Sequence, residues 1–146
     1  MKITIEPIEN GAEEEIIIRC NNLDKDIMDL VYAVKNGRSR LTAYSSDNGI
    51  VKLSPEQILY FEAVDNKVFA CCAKQVYEVK QKLYELEQLY EHSDLLRISK
   101  AMIVNVSAIE RIVPAINGRL DAILSNGEKV VISRQYVPDL KKKLCV

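Results

Sequence analysis

The chain of 146 residues is expected to be mainly β with short helices, an α+β arrangement of packed antiparallel sheets preceded by a small β-β-α-β-β unit. Three observations predict this. All five glycines follow an asparagine, at Asn10-Gly11, Asn36-Gly37, Asn48-Gly49, Asn117-Gly118 and Asn126-Gly127. Asn-Gly tolerates the positive φ that a type I′ hairpin turn requires. Most apolar runs are short and rich in β-branched or aromatic residues, as strands are. Only two segments sustain helical spacing over three turns.

Four of the Asn-Gly pairs lie between strand-like runs. They predict hairpins joining Ile3–Ile8 to Glu15–Cys20, Arg40–Ser45 to Ile50–Leu53, Arg111–Ala115 to Arg119–Leu124, and the last of these to Lys129–Ile132. Further strands are expected at Ile58–Ala63, Lys67–Cys72, Val76–Val79, Leu95–Ile98 and Ile109–Val113. Asn36-Gly37 is read as the left-handed end of a helix from about Leu23 to Lys35. In that helix Ile27, Leu30, Val31 and Val34 share a face, and Asn22 is the expected N-cap. A second helix is expected from Val79 to Tyr90, with Val79, Leu83, Leu86 and Tyr90 on one stripe. A third, short helix follows Ser133 and carries Lys141, Lys142 and Lys143, with Pro138 near its start. A composition shift at Ser54-Pro55 divides the chain into an acidic unit, residues 1–52, and a larger domain, residues 53–146.

The net charge of −1 conceals an asymmetry. Residues 1–50 and 51–96 each carry a net −3, whereas residues 97–146 carry +5. A basic block in an acidic chain is the footprint of a face that meets phosphate. No apolar run approaches the roughly 18 residues of a membrane helix, and the first residues lack the apolar core of a signal peptide, so a cytoplasmic protein is expected.

Enzymatic chemistry finds little support. The single histidine, His92, follows an acidic helix and reads as a solvated helix-end residue. The four cysteines, Cys20, Cys71, Cys72 and Cys145, include no C-x-x-C pair, so neither a zinc site nor a disulfide framework is expected. No two glycines are close enough for a Walker or Rossmann loop. No catalytic residue, cofactor, metal or small-molecule substrate is expected. The basic segment reads better. Ser133-Arg134-Gln135 sits at a strand-to-helix junction, where an arginine can project beside a helix start. Arginine binds guanine in bidentate fashion, and lysine and serine hold phosphate. The lysine trio is ordinary helix-end charge.

From about Leu53 to Leu144 the chain resembles the LytTR family of bacterial DNA-binding domains. The matching stretches are Ile58-Leu59-Tyr60-Phe61-Glu62-Ala63, Val79 to Glu87, Leu96 to Val106, Ile109-Glu110-Arg111-Ile112 and Asn126 to Tyr136, in the family's order. The resemblance implies elongated packed antiparallel sheets whose loops, and not a recognition helix, reach into successive major grooves of repeated promoter sites. It implies a response regulator-like transcription regulator binding double-stranded DNA, with a membrane-protein antagonist as a further partner. Repeated sites favour two copies, so a homodimer is expected, and residues 1–52, which the resemblance does not cover, are expected as a dimerisation or signal-input unit. By position it implies contacts from Asn66 and Lys67 and from the segment Arg97, Ser99, Lys100, with Arg134 as the base reader and Lys129, Ser133 and Gln135 positioning the backbone. The family's His-Arg-Ser is here Ser99-Lys100-Ala101. Lysine lacks the bidentate fork, so Lys100 is expected on phosphate. Met102 takes the place of the usual aromatic, as core packing. The alternative is a protein-interaction or ligand-sensing module with reduced DNA binding, motivated by the acidic N-terminal part and the Ser99-Lys100-Ala101 departure.

Overall fold

A computed structural model of the chain describes residues 1–36 and 40–146. The elements in order are α1 (Lys25–Asn36), β1 (Leu41–Tyr44), β2 (Ile50–Leu53), β3 (Ile58–Val64), β4 (Lys67–Cys72), β5 (Val76–Val79), α2 (Leu83–Leu89), β6 (Leu95–Ser99), β7 (Met102–Asn105), β8 (Ile109–Pro114), β9 (Leu120–Leu124), β10 (Lys129–Ile132) and α3 (Val137–Leu144). The predicted class, mostly antiparallel sheet with short helices, is the observed one. One sheet has seven strands in the order β2-β1-β5-β4-β3-β7-β6, and the other three in the order β10-β9-β8.

The larger sheet is buried on both faces at its centre. Strand β3 is buried at four successive residues, Ile58 to Phe61. A register shift between Ile58 and Tyr60 puts the consecutive side chains Leu59 and Tyr60 on one side and Ile58 and Phe61 on the other. Ile58 and Phe61 join one core with Ile103, Leu95 and, from α2, Leu83 and Leu86; Leu59 and Tyr60 join the other with Ile98, Val104, Ala122, Leu124, Val130, Ile132 and Leu140 of α3. The three-stranded sheet and α3 therefore cover one face, and α2 the other. Asn105 is the buried polar side chain among the described residues. Its amide donates to Ile58 O at 2.9 Å and its oxygen accepts from Ser107 N and Oγ, so burial leaves neither group unpaired.

Several elements differ from expectation for identifiable reasons. Residues 1–24 form a turn at Asn10-Gly11, closed by Ala12 N–H on Glu9 O, but no strand on either side. The short β-branched runs Ile3–Ile8 and Glu15–Cys20 suit strands but have no third strand to lie against, and an isolated hairpin is marginal in water. The β-β-α-β-β unit is thus not formed. The β1–β2 hairpin joins the large sheet through Tyr44 opposite Glu78. Val76–Val79 is strand β5, and α2 begins only at Leu83, because Val79 pairs with Val68. Met102–Asn105, read as no element, is strand β7, paired with both β3 and β6. Helix α1 is capped by Asp24, whose carboxylate accepts Ile27 N–H at 2.9 Å, and not by Asn22. The cap expected at Asn36-Gly37 extends beyond the described residues. Pro138 lies in the first turn of α3, where no N–H is needed.

The turns carry a further correction. Two turns have consecutive positive φ: Asp65-Asn66 (51° and 63°), closing β3 on β4 at Val64 opposite Lys67, and the expected Asn117-Gly118 (59° and 75°) between β8 and β9. This is the type I′ pattern. The Asn48 and Asn126 pairs sit inside longer loops, closed between Ser45 and Gly49 and between Leu124 and Glu128, without two consecutive positive φ values.

His92 is not a solvated helix end. Its ring stacks on Tyr32 of α1, centroids 3.9 Å apart and planes 4° from parallel, and its Nδ1 lies 3.0 Å from Asp29 Oδ1. That hydrogen bond, aided by Lys25, holds the Asp29 carboxyl below its ordinary value. Lys143 of the lysine trio donates to Ser93 O at 2.7 Å, so it fastens α3 to the same loop. Cys71 is buried and its thiol is pushed up to about 11 by desolvation, whereas Cys20 and Cys145 are exposed.

Candidate nucleic-acid interface

Antiparallel pairing brings distant residues to one end of the sheets. β3 runs toward this end and turns at Asp65-Asn66, presenting Asn66 and Lys67, both exposed. β6 also runs toward it and turns at Ser99–Ala101. Ala63 N–H donates to Ala101 O at 2.8 Å, which fixes the two turns side by side. β10 ends there too, and Ser133 N–H donates to Ile98 O at 2.9 Å, placing Arg134 beside the β6–β7 turn. Asn66, Lys67, Ser99, Lys100, Ser133, Arg134 and Gln135 are therefore brought to one end. They come from segments up to 69 positions apart in the chain.

Within this set the side chains fall into two kinds. Arg97 is occupied: its Nε donates to Ser99 O at 2.7 Å, one terminal nitrogen to Lys100 O at 2.6 Å, and the other reaches Glu87 at 3.3 Å. It is a brace that shapes the β6–β7 turn, with a side chain only 17% exposed. Ser99 Oγ accepts from Ala101 N within the same turn. By contrast, the side chains of Asn66, Lys100 and Arg134 have no intramolecular hydrogen bond or ion pair among the described residues. Unpaired exposed cations and amides beside one another are what an anionic, hydrogen-bonding partner needs. Lys129 is not part of the cluster. It begins β10, three residues and about 10 Å from Ile132 at the rise of a strand, and lies 3.8 Å from Asp121.

The structure adds residues that the sequence did not single out. Arg134 lines a groove of about 410 Å³ with Asn117, Arg119, Ser133 and Gln135. Asn117 and Arg119 belong to the β8–β9 loop, which reaches this end because Pro114, Leu120 and Ile132 align across the small sheet. Gly118, with φ of 75°, packs against Arg134: a Cβ there would lie 3.0 Å from Arg134 Cδ and 3.2 Å from Cγ. The absent side chain makes room for the aliphatic stem of Arg134. The Asn117-Gly118 signal was legible as a turn, but its contact with Arg134 needs the tertiary register.

Among the described residues no group of three or more His, Cys, Asp or Glu side chains could hold a metal ion, and no helix is long and apolar enough to cross a membrane. The site is a row of loops and strand ends carrying unpaired arginine, lysine and asparagine, which defines a sheet-scaffolded, loop-presenting binder of a polyanion. The sequence model of the family described as LytTr DNA-binding domain matches residues 48–145, and the chain belongs to that family. A LytTr DNA-binding domain from Bacillus cereus superposes with a TM-score of 0.70 at 28% identity, covering 75% of this chain and all of that one. Among curated proteins, an uncharacterized HTH-type transcriptional regulator of Staphylococcus aureus is 28% identical over 100% of this chain and 99% of its own length. The sensory transduction protein LytT of Bacillus anthracis is 32% identical over 67% of this chain and 40% of its own length. The chain is a DNA-binding transcription regulator. No two α-helices are consecutive among its described residues, so these include no helix-turn-helix.

Proposed function

We propose that the chain binds double-stranded DNA sequence-specifically by inserting the β3–β4 turn, the β6–β7 turn and the Ser133–Gln135 segment into major grooves. The observation that carries this is the gathering of Asn66, Lys100 and Arg134 at one end with their side chains unpaired. Arg134 reads a base, Lys100 and Lys67 neutralise phosphates, and Ser133 and Gln135 position the backbone. Arg97 acts indirectly, by holding the turn that presents Lys100. The test is selection of bound duplexes from a random library at two salt concentrations, followed by titration of the selected duplex. A specific site is expected, with log Kobs falling steeply against log salt as counterions are released. Failure to retain any duplex at low salt would refute the reading.

We further propose a homodimer held through the N-terminal segment. Among the described residues, ten of the 19 exposed large apolar side chains, including Ile3, Ile5, Ile16, Ile17 and Leu30, lie within the first 34 positions. That concentration of exposed apolar surface favours a protein partner, and repeated sites on DNA favour a second copy. Light scattering is expected to give the mass of two chains, reduced to one when residues 1–24 are removed. A one-chain mass for the intact protein at high concentration would exclude the dimer.

A further inference from the structure

The loop between β5 and α2 lies at the same end of the large sheet as the Asp65-Asn66 turn. Val79, the last residue of β5, is the Cα partner of Val68, so Lys80 emerges beside Lys67 and the Asp65-Asn66 turn. Asn66, Lys67, Glu78, Lys80, Gln81 and Lys82 line a concavity of about 220 Å³. Three lysines thus surround one carboxylate. Glu78 lies 3.0 Å from Lys80 and 3.9 Å from Lys67, and no carboxylate is paired with Lys82 among the described residues. The Lys82 backbone is fixed where α2 starts, because its N–H donates to Glu85 Oε1 at 3.0 Å. The Lys80 ammonium also stands over the Tyr44 ring, 5.2 Å from its centroid.

We propose that Lys80 and Lys82, together with Lys67, form a cradle for backbone phosphate of the duplex, flanking the groove that the Asn66 turn enters. The proposal rests on the duplex-binding reading above. Strand spacing supports it. The β3–β4 turn is centred one and a half strand spacings from β5, about 7 Å at roughly 4.8 Å per strand. The major groove is roughly 12 Å wide, so its phosphate wall stands about 6 Å from its midline. A turn inserted at the centre of the groove therefore brings the β5–α2 loop onto the flanking strand. The β6–β7 turn lies on the other side of the β3–β4 turn, two spacings or about 10 Å away, and does not compete for that wall.

Glu78 supplies the control. Its ion pairs with Lys80 and Lys67 are exposed, the lysine side chains being 67% and 62% accessible, and exposed pairs are weak. Phosphate can take the lysines from it, but Glu78 remains a like charge beside the incoming anion. Removing its charge should therefore strengthen binding, while removing either lysine's charge should weaken it. A purely structural role for the cluster predicts no such opposite signs.

The test uses the full chain and the selected duplex, with affinity measured between about 50 and 200 mM salt. Lys80→Gln and Lys82→Gln are each expected to reduce the slope of log Kobs against log salt by about 0.9 and to weaken binding roughly fivefold to tenfold near 0.1 M salt. Glu78→Gln is expected to tighten binding severalfold on selected and unrelated duplexes alike. Base preference should stay that of the wild type in all three. Lys74→Gln, on the β4–β5 turn at the far end of the same hairpin, serves as the control and should change nothing. If wild type binds its selected duplex but the Lys80→Gln/Lys82→Gln double variant keeps wild-type slope and affinity, the cradle is refuted and the reading above survives. If wild type retains no duplex, the reading itself fails. A changed base preference in the lysine variants would make the loop a base reader and overturn the phosphate role. Saturable amide shifts at Gln81 and Lys82 on adding inorganic phosphate at constant ionic strength, without duplex, would assign the site to a free anion and also overturn it.

Discussion

Arg134→Ala is expected to weaken binding to the selected duplex by roughly 5- to 150-fold, corresponding to about 1–3 kcal/mol for one bidentate base contact. Binding to unrelated duplexes should fall much less, so base preference relaxes at one position. Arg134 is exposed, and its guanidinium has no partner within the chain among the described residues, so folding should be little affected. Arg134→Lys should keep the charge, and most of the salt slope, while losing the planar fork and with it the base preference. Gly118→Ala provides an indirect check. The new methyl would meet the Arg134 stem at 3.0 Å and must occupy a φ of 75°, a region that costs a non-glycine residue about 1–2 kcal/mol. It should reproduce part of the specificity loss without touching the guanidinium. Unchanged affinity and preference in Arg134→Ala, measured by gel-shift titration, would remove Arg134 from the reading set.

Phe61→Ala is expected to lower stability by about 3–5 kcal/mol, the range for deleting a fully buried aromatic ring. That is a large part of the 5–15 kcal/mol typical of a domain. Phe61 is fully buried at the centre of the large sheet and stacks near Tyr90, centroids 6.3 Å apart. Its loss opens a void between β3 and α2 that the surrounding Leu86 and Ile103 cannot close without shifting two elements. Phe61→Leu, which keeps more of the volume, should cost markedly less. Chemical denaturation compares the two; equal midpoints for wild type and Phe61→Ala would show that the ring is not packed as described.

The sequence made the strand-rich class legible because turn chemistry and short β-branched runs are local properties. It also placed β1 to β6 and β8 to β10 within a residue or so. What it missed is decided by partners. Val79 fits both the α2 stripe and a strand, and only Val68 opposite it settles the matter. Met102–Asn105 is a four-residue apolar run, too short to show a period, and becomes a strand because β3 and β6 flank it. The N-terminal runs Ile3–Ile8 and Glu15–Cys20 have strand composition, but a hairpin also needs something to lie against. At the candidate site, Asn66, Lys100 and Arg134 came from ordered resemblance over some 90 residues, not from charge. Arg97 looked equally basic, and its use as a brace depends on the turn folding back toward it. Arg119, Lys80 and Lys82 carry no site signal of their own, and Gly118 only that of a turn, since they reach the site only through strand register.

The side-by-side anchoring of the reading loops has a mechanical consequence. Ala63 is tied to Ala101 and Ser133 to Ile98 through the backbone, so these loops behave as teeth of one comb. The pitch of the comb is set by hydrogen-bonded strands and does not depend on which side chains the teeth carry. A changed side chain alters what a tooth touches, and an added residue alters how far it reaches, but neither alters where along the duplex it falls. New base preferences can therefore arise one tooth at a time, while the spacing of the contacted positions stays fixed by the sheet.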